Sequence, residues 1–372
     1  MHLSPNRTWI LTRYDDVDAL NHDRRLGRDL RAWGPYRTFR PYIADSALEH
    51  SVERWVLNLD PPDHSRIRKS ASRHFTAGAM GRFAEPIRSI TEQLLDELDG
   101  LDEFDFIESF AHPQARRVIG ALLSLPPDDL ELLDGWGRSI AVVLEPAFGL
   151  QEKLAANEAA AEMTEYLQRF VRDGGLASSG ELASKIGAIH AEGGLTEDEV
   201  VALYVSLVVT AVAANIVGNG MLHLLRHPRN LLWLRRNLSA MPRAVDELLR
   251  YDGRGINARV AHEDVELRGK RIRTGQLVFC MLGAANRDPQ VFPEPDRLVL
   301  TRDPNPHVTF GGGIHHCLGA ALTGVQARVG FTRILERWPS IELDEAGVKW
   351  NDYSAIRAVE RLPVRMGGSG GA

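Results

Sequence analysis

The chain has 372 residues, with 44 Lys and Arg against 50 Asp and Glu, which gives a formal net charge of -6 at pH 7. This balance excludes a nucleic-acid-binding protein that works through bulk positive charge. Apolar residues make up 44% and charged residues 25% of the chain, which excludes a disordered protein and indicates a large core. With Cys280 and Cys317 as its two cysteines, the chain is expected to be cytoplasmic and to have no disulfide framework.

Helical periodicity dominates the sequence, with strand patterns near both ends. A strand at residues 9–12 precedes a helix that the pair Asp15 and Asp16 would open, because carboxylates stabilise a helix N-terminus. Alternating residues predict antiparallel strands at 264–272 and 275–282, with turns at Gly269 and Thr274–Gly275. Further helices are predicted at 87–98, 114–125, 128–144, 150–172, 180–191, 196–226, 230–237, 242–251 and 318–338.

The central helix pattern is long enough to span a membrane, because residues 200–225 contain no Asp, Glu, Lys or Arg. Its polar residues, among them Ser206, Asn215 and His223, argue against a span, as does the capping box formed by Thr196 and Glu199 just before it. The sequence therefore predicts a buried core helix and no membrane association.

No internal repeat is visible, and no interior linker separates two cores. The pattern predicts a mostly α protein with a minor sheet, formed by one domain over residues 1–365. The Gly- and Ser-rich segment 366–372 is expected to be a flexible tail.

The most specific local signal is a glycine-rich turn before the last long helix, with the sequence FGGGIHHCLG over residues 310–319. Backbone N–H groups and the positive end of a helix stabilise a thiolate, so Cys317 is a candidate ligand for a soft or borderline metal. Gly313 and Gly319 would let a flat cofactor approach the backbone closely, and Phe310 would supply an apolar wall. A lone cysteine, taken by itself, is more typical of a buried structural thiol.

The spacing Phe-x-x-Gly-x-His-x-Cys-x-Gly resembles the heme-binding loop of the cytochrome P450 family, in which a cysteine thiolate is the proximal iron ligand. The resemblance runs from about residue 9 to residue 365. It implies the soluble bacterial form of the fold, a single triangular helical prism with small antiparallel β-sheets. It also implies heme b as cofactor, Cys317 as its axial ligand and His315 as a partner of a heme propionate.

Other segments match the family in the order that it requires. By this resemblance His64 and Arg68, one helical turn apart, would bind a propionate, and Arg259 and His307 match two further propionate positions. Without the resemblance, the Asp-Pro-Pro sequence at residues 60–62 would indicate only a capped surface helix.

A further match is the family's Glu-x-x-Arg pair, here Glu247 and Arg250. In the family this pair forms a buried network with a later arginine that supports the heme loop, and Arg297 is expected to be that arginine. Taken alone, the pair would be a surface ion pair of little energetic value.

The resemblance implies an oxidoreductase of the monooxygenase type, which activates dioxygen at heme iron and oxidises a small organic substrate. An acidic ferredoxin is the expected electron donor if the reaction is oxidative. Solvated surface charge is the alternative interpretation for each member of the predicted docking patch on the proximal side. The patch comprises Arg66, Lys69, Arg73 and Arg328.

The central helix departs from the family pattern Ala-Gly-x-(Asp/Glu)-Thr. Alignment on Asn215 and residues 218–220 assigns its five positions to Val208, Val209, Thr210, Ala211 and Val212. The acid and alcohol, whose proton delivery is worth on the order of 10²–10⁴-fold in rate, are therefore missing. Val208, Val209, Ala211 and Val212 are thus predicted to be atypical catalytic positions. A register shifted by one turn would instead bring Thr210 or Ser206 into the role.

Three interpretations remain open, in this order. The first is an oxygenase or oxidative coupling enzyme that receives protons from a substrate hydroxyl or from ordered water. The second is a peroxygenase that uses hydrogen peroxide directly. The third is a heme protein that catalyses a non-oxidative cyclisation or rearrangement, or that only binds a ligand.

The substrate cavity is expected, by the resemblance, to be lined by segments 35–54, 205–212, 255–258 and 354–356. Arg254 and Arg357 flank the last two segments, which suggests an acidic or carrier-linked substrate; surface arginines are the alternative. The soluble form of the family that the chain most resembles suggests a role in bacterial secondary-metabolite or antibiotic biosynthesis.

Overall fold

The structure is a computed structural model, which describes residues 1–4, 7–35, 45–145, 148–177, 180–209, 213–253, 255–355 and 357–366. Helices form most of the described fold, as predicted. α8 has the predicted bounds, and the other long helices begin or end within a few residues of the expected positions. The helices are α1 Tyr14–His22, α2 Ala47–Val52, α3 Asp63–Ser72, α4 Ala77–Arg82, α5 Ala84–Leu98, α6 His112–Leu123, α7 Leu130–Ala141, α8 Leu150–Arg172, α9 Glu181–Ala191, α10 Glu197–Val209, α11 Ala213–Arg226, α12 Pro228–Arg236, α13 Met241–Asp252, α14 Leu282–Ala285 and α15 Ala320–Arg337.

The helix expected after the Asp-Pro-Pro sequence is α3, whereas two short helices on either side of it, α2 and α4, are not among the predicted elements. Side-chain caps define both: Ser46 Oγ accepts from Glu49 N at 3.2 Å, and Thr76 Oγ1 accepts from Ala79 N at 3.3 Å. Helices this short have too few residues to show a clear periodicity, so the caps are the available sequence signal.

The apolar central stretch lies in α10 and α11, which are called the central helices below. By length and composition the segment 197–226 is able to cross a membrane, but 86% of its most apolar window is buried inside the protein. Every residue from Val200 to Val209 is buried. Core packing therefore accounts for the hydrophobicity of this segment, as predicted for a helix surrounded by others.

A five-stranded sheet with the order β1-β2-β8-β5-β3 packs against one side of the helical body. β5 pairs with β8 in antiparallel fashion, but β2 runs parallel to β8, with Trp9 opposite Val278. The β2–β8 pair is the exception among the described strand pairs, which are otherwise antiparallel as expected; the chain crosses the whole helical body between these two strands. The strands are β1 His2–Leu3, β2 Trp9–Leu11, β3 Leu26–Gly27, β4 Glu103–Asp105, β5 Ile256–Ala261, β6 Val265–Leu267, β7 Lys270–Ile272, β8 Leu277–Met281, β9 Ile341–Leu343, β10 Lys349–Trp350, β11 Val359–Arg361 and β12 Pro363–Met366.

The C-terminal strand corrects the expected start of the tail. Met366 was assigned to the tail, but it ends β12 and pairs with Ile341 of β9. The remaining residues of the predicted tail, 367–372, lie outside the described residues.

A buried ion network connects α13 with the coil that precedes the Cys317 loop. Arg250 donates from Nε and Nη2 to the two oxygens of Glu247 at 2.7 and 2.9 Å, and both side chains are fully buried. Arg302, with 8% of its side chain exposed, donates from Nε to the same carboxylate at 3.0 Å. Arg250 also holds the carbonyls of Asn286 and Pro295, so the network fixes the path of the coil.

The assignment of Arg297 as the third member of this network is wrong. Its side chain pairs with Glu294 at the surface, where 68% of the arginine side chain is exposed, and only its carbonyl accepts from Arg250. Arg302 is the third member of the network instead, because the coil turns so that residue 302 and not residue 297 faces α13. Spacing along an irregular coil cannot distinguish the two arginines.

We therefore expect Arg302→Ala and Arg297→Ala to differ sharply. Loss of Arg302 leaves a buried carboxylate with one partner fewer, which should lower the free energy of unfolding by about 3 kcal/mol. Arg297→Ala, the matched control, removes an exposed pair and should leave the unfolding midpoint unchanged. Urea denaturation followed by circular dichroism measures both, and equal effects of the two substitutions would contradict the assignment of Arg302 to the network.

Candidate active site

A large cavity of about 740 Å³ lies between the central helices, the mixed sheet and the start of α15. The cavity wall comes from segments far apart in sequence and is mostly apolar. Representative apolar residues are Val118, Leu144, Leu207, Ile256, Phe279 and Leu322. Parts of the expected substrate segments contribute to it, including Val52, Leu207 and Ala355.

The loop before α15 places Cys317 in the wall of this cavity. Cys317 N donates to Phe310 O at 2.9 Å, which closes the loop. Burial raises the pKa of the Cys317 thiol, while hydrogen bonds from the N–H groups of Gly319 and Ala320 and the charge of Arg68 lower it. Burial outweighs these contacts, so the pKa of the Cys317 thiol is raised overall, and a bound metal would be needed to stabilise the thiolate.

The glycines of this loop have different roles. Gly319 lines the cavity beside the sulfur, and a Cβ on it would lie 4.0 Å from the sulfur, in ordinary van der Waals contact. Gly313 has φ +66° and a Cβ there would lie 2.2 Å from the carbonyl oxygen of Asn21. Gly313 is needed for close packing of the loop on α1. It does not line the described cavity wall, so its contact with a cofactor stays a prediction.

A buried cluster of charged and polar groups occupies one end of the cavity. Asp60 accepts from the backbone N–H groups of Arg28 and Asp29 at 2.9 and 3.0 Å, and its oxygens lie 3.1 Å from His262 Nε2 and 3.7 Å from His315 Nε2. These partners hold the pKa of the Asp60 carboxyl well below its usual range although burial opposes them. The cluster therefore contains a fixed negative charge.

The positive charge of this cluster exceeds its negative charge. Arg28 and Arg259 are both buried, and burial with their mutual repulsion lowers the pKa of Arg28 to about 9. Burial also lowers the pKa of Arg259, which is 1% exposed. Burial lowers the pKa of His64 as well, which disfavours its charged form. The charged groups named in this cluster are therefore two guanidinium groups and the single carboxylate of Asp60.

Several nitrogens of this cluster have no hydrogen-bond partner. They are all three guanidinium nitrogens of Arg259 and both ring nitrogens of His64 and of His315. The rings of His64 and His315 pack 4.3 Å apart between centroids. Buried donors without acceptors are costly, so these groups indicate a missing anionic acceptor.

Heme b fits this donor set, because its two propionates would supply the acceptors and negative charges that the cluster lacks. Its iron would meet the one thiol in the described part of the cavity wall. A flat macrocycle would lie against Phe310 and Gly319, which both line the cavity.

The predicted cofactor residues are therefore only partly brought together. Arg68, Phe310, His315, Cys317 and Gly319 line the cavity. His64 and Arg259 are not in the wall itself but are packed within the charged cluster.

The propionate contact of His307 stays a prediction, because its Nδ1 is buried and has no hydrogen-bond partner among the described residues. His307 is absent from the described cavity wall, and its charged neighbours are Arg250 and Glu247 of the ion network. Burial, with Arg250, lowers the pKa of His307 to about 4. The residue belongs with the coil that the network supports.

The central helices face the cavity through residues other than the predicted ones. Val208 and Val209 line a separate, smaller cavity, and Val208 packs on α7, where a Cβ on Gly137 would lie 3.2 Å from Val208 Cγ1. Ser206 and Leu207 face the large cavity instead, because successive helix residues point about 100° apart. The role of Val208 and Val209 as atypical catalytic positions therefore stays a prediction, and neither residue lines the large cavity. Thr210, Ala211 and Val212 lie outside the described residues.

Sequence reasoning missed two parts of the cavity wall. One part comprises residues 28–31 and Trp33, and the other comprises residues 143–145 and Phe148. A buried arginine in a Gly- and Arg-rich loop has no local signature, so Arg28 had no signal that would have identified it.

Comparisons with known proteins agree on one family. Residues 232–354 match the family model described as Cytochrome P450. Cytochrome P450 CYP107DY1 of Priestia megaterium is 34% identical over 370 residues, covering 96% of this chain and 89% of that protein. The polyketide biosynthesis cytochrome P450 PksS of Bacillus subtilis is 33% identical over 367 residues, covering 96% and 89%. The crystal structure of P450BioI in complex with hexadec-9Z-enoic acid ligated acyl carrier protein has a TM-score of 0.89 and 31% identity, covering 96% of this chain and 92% of that chain.

The identity extends over nearly the whole length of the chain, and the fold is shared to the same extent. The cavity, its cysteine and its unpaired cationic groups agree with the cofactor of that family. The chain therefore belongs to the cytochrome P450 family, uses heme b as its cofactor and is an oxidoreductase of the monooxygenase type.

Proposed function

We propose that this cytochrome P450 oxidises a mainly apolar small molecule that carries a carboxylate or is linked as an acyl group to a carrier protein. The reaction belongs to bacterial secondary-metabolite biosynthesis, including antibiotic biosynthesis. The observation that carries this proposal is the composition of the large cavity wall. The wall is mostly apolar, but two cationic residues, Arg357 and Lys153, line it together with Cys317. The names of the relatives PksS and P450BioI, which concern a polyketide and a carrier-bound fatty acid, support it.

In this proposal Cys317 binds the heme iron through its thiolate. The charged cluster holds the propionates, with Arg259 and His64 as donors that have no other acceptor within hydrogen-bond distance and with His315, 3.7 Å from Asp60, as a further donor. Arg68 stays close to the loop, since its Nη2 donates to His316 O. When bound, the heme supplies the redox centre at which dioxygen is reduced and the substrate oxidised.

Arg357 is the proposed anchor for the acidic group of the substrate. Its guanidinium lies 4.7 Å from the centroid of the Trp350 ring, which orients it. It lines the cavity, its side chain is exposed, and no carboxylate of the described residues lies within 4.0 Å of it. Arg254, the other arginine expected to bind the substrate, lies outside the described residues.

Protons for the reaction are proposed to come from ordered water or a substrate hydroxyl. Among the described residues of the central helices that line the cavity, Ser206 and Asn215 present a hydroxyl and an amide, whereas the amide of Asn219 is hydrogen-bonded to Arg357 O and Val359 N. A hydroxyl and an amide can hold water in place, but neither is an acid at neutral pH. Ser206 Oγ donates to Leu203 O at 2.8 Å.

The proposed electron donor is a ferredoxin that docks next to the Cys317 loop. Lys69 and Arg73, on and just after α3, are exposed there. Arg66 is held by Glu199 and Asp63, so it contributes less free positive charge than the other members of the proposed patch.

Spectra of the purified, heme-loaded protein test the proposed function. The reduced carbon monoxide complex should show the absorption band of a thiolate-ligated heme, and Cys317→Ser should lose it. Turnover with ferredoxin, its reductase and NADPH should then exceed turnover with hydrogen peroxide. Product formed with neither reductant nor peroxide would instead support the non-oxidative interpretation, and a wild-type protein without the thiolate band would refute the heme–thiolate assignment.

The buried charge of Arg259 predicts opposite effects on the heme-free and heme-loaded protein. Arg259→Met removes a buried, unpaired guanidinium, so the heme-free protein should melt at a higher temperature. The same change removes a charged donor to a propionate and should weaken heme retention about tenfold or more. Calorimetry and heme transfer to apomyoglobin measure the two effects. Arg25→Met, an exposed residue paired with Asp23, is the control and should change neither.

Arg357→Ala should weaken binding of long-chain carboxylates by about tenfold, because a charge-assisted hydrogen bond is lost. Binding of the corresponding uncharged alcohols should not change, which separates loss of the anchor from damage to the cavity. Titration of the ferric heme spectrum measures both affinities. Equal affinities of the wild type and the variant for the carboxylates would overturn the proposed role of Arg357.

A further inference from the structure

A second cavity, of about 280 Å³, lies beside the large one and is called the side cavity below. α6, α7 and the central helices form its walls, with Ile119, Leu133 and Val209 among the lining residues. Its rim includes the exposed side chains of Tyr353 and Glu360. Nothing in the proposed function uses this space.

A thin wall separates the side cavity from the large cavity. Within the described parts of the chain, four residues line both cavities: Ala115, Ile119, Glu145 and Asn215. Glu145 is the charged member of this set, and it is 4% exposed. A carboxylate at such a position needs strong partners to be stable.

The partners of Glu145 are in the loop between β10 and β11. Its Oε2 accepts from Ser354 N at 2.8 Å, from Ser354 Oγ at 3.0 Å and from Ala355 N at 2.9 Å, and its Oε1 lies 3.1 Å from the same Ala355 N. Glu145 follows the short 3-10 helix Val142–Leu144 at the end of α7. One carboxylate therefore ties the end of α7 to a loop of the distant C-terminal region.

This tie holds parts of the cavity wall in place. Leu144, just before Glu145, and Ala355, which is 3% exposed, both line the large cavity. Hydrogen bonds from backbone N–H groups to a buried carboxylate are strong, and the loop has no other described acceptor at Ser354 N and Ala355 N. The two cavities are thus kept apart at this point by the side chain of Glu145 and the loop that it binds.

We propose that Glu145 is a specificity-determining positioning residue, which sets the far limit of the substrate cavity by holding loop 353–355 against the end of α7. Without its carboxylate the large cavity and the side cavity join, and the enzyme accepts a longer apolar chain. This inference rests on the proposed function, because it takes the large cavity as the place where substrate meets the heme.

A series of n-alkylimidazoles, from butyl to hexadecyl, measures this limit without turnover. The imidazole binds the heme iron and changes its spectrum, while the alkyl chain extends into the cavity. In the wild type, affinity should rise with chain length until the chain reaches the wall and then level off. In Glu145→Ala the affinity should level off at a longer alkyl chain than in the wild type. Burial of two further methylene groups should then give the longest ligands about a tenfold gain in affinity.

Two variants act as controls for this shift. Glu145→Gln keeps a carbonyl oxygen for the N–H groups of Ser354 and Ala355, so its limit should stay close to that of the wild type. Glu360→Ala removes an exposed carboxylate from the rim of the side cavity, outside the wall, and should not change the limit. Adding Ala141→Phe to Glu145→Ala fills the side cavity and should restore the original limit.

The outcomes separate the inference from the proposed function. If the wild type gives no spectral response to any alkylimidazole, both are overturned. If the wild type responds but Glu145→Ala levels off at the same chain length, the wall formed by Glu145 is overturned and the proposed function stands. Should Glu145→Ala fail to fold, Glu145→Asp withdraws the carboxylate by one methylene and should shift the limit in the same direction; an unchanged limit there also overturns the inference.

Discussion

Two guanidinium groups buried at one end of the cavity impose the main constraint on this protein. Arg28 and Arg259 have Asp60 as their anionic neighbour, and the nitrogens of Arg259 have no acceptor. Such an arrangement is unfavourable for the polypeptide alone, since a buried charge without a partner costs several kcal/mol. A cofactor with two carboxylates would supply the missing acceptors, so we expect folding and heme binding to be coupled through the same residues.

The rest of the site is arranged to present a thiol opposite that charge. The Cys317 loop packs on α1 through Gly313, and the Glu247 network fixes the coil that leads into it. Neither feature touches the cavity, yet both determine where the sulfur lies. This division explains why strongly patterned residues such as His307 and Glu247 lie in a supporting layer and not in the cavity wall.

The substrate side of the cavity differs from the charged end in composition. Its wall is mostly apolar, and the polar exceptions are few and held in place: Arg357 lies over Trp350, and Glu145 accepts from the loop at Ser354 and Ala355. An apolar wall gives affinity without direction, whereas fixed polar groups orient and limit the ligand. Selectivity in this enzyme is therefore expected to reside in those few contacts and in the shape that they maintain.

The amino-acid sequence by itself determined the family, the cysteine ligand candidate, the helical class and the position of most long helices. These features depend on local periodicity or on a short motif with fixed spacing, such as the segment 310–319. The caps of α2 and α4 were also present in the sequence, but such short helices do not produce a periodic pattern.

Only the tertiary structure decided which residues meet across distant segments. Arg302 and not Arg297 reaches Glu247 because an irregular coil sets its own direction, and Val208 faces α7 because its rotation about the helix axis depends on packing. The parallel pairing of β2 with β8 and the contact of Glu145 with residues 354 and 355 join parts of the chain more than 200 residues apart. Sequence spacing contains no information about such contacts, because they result from the packing of the whole core.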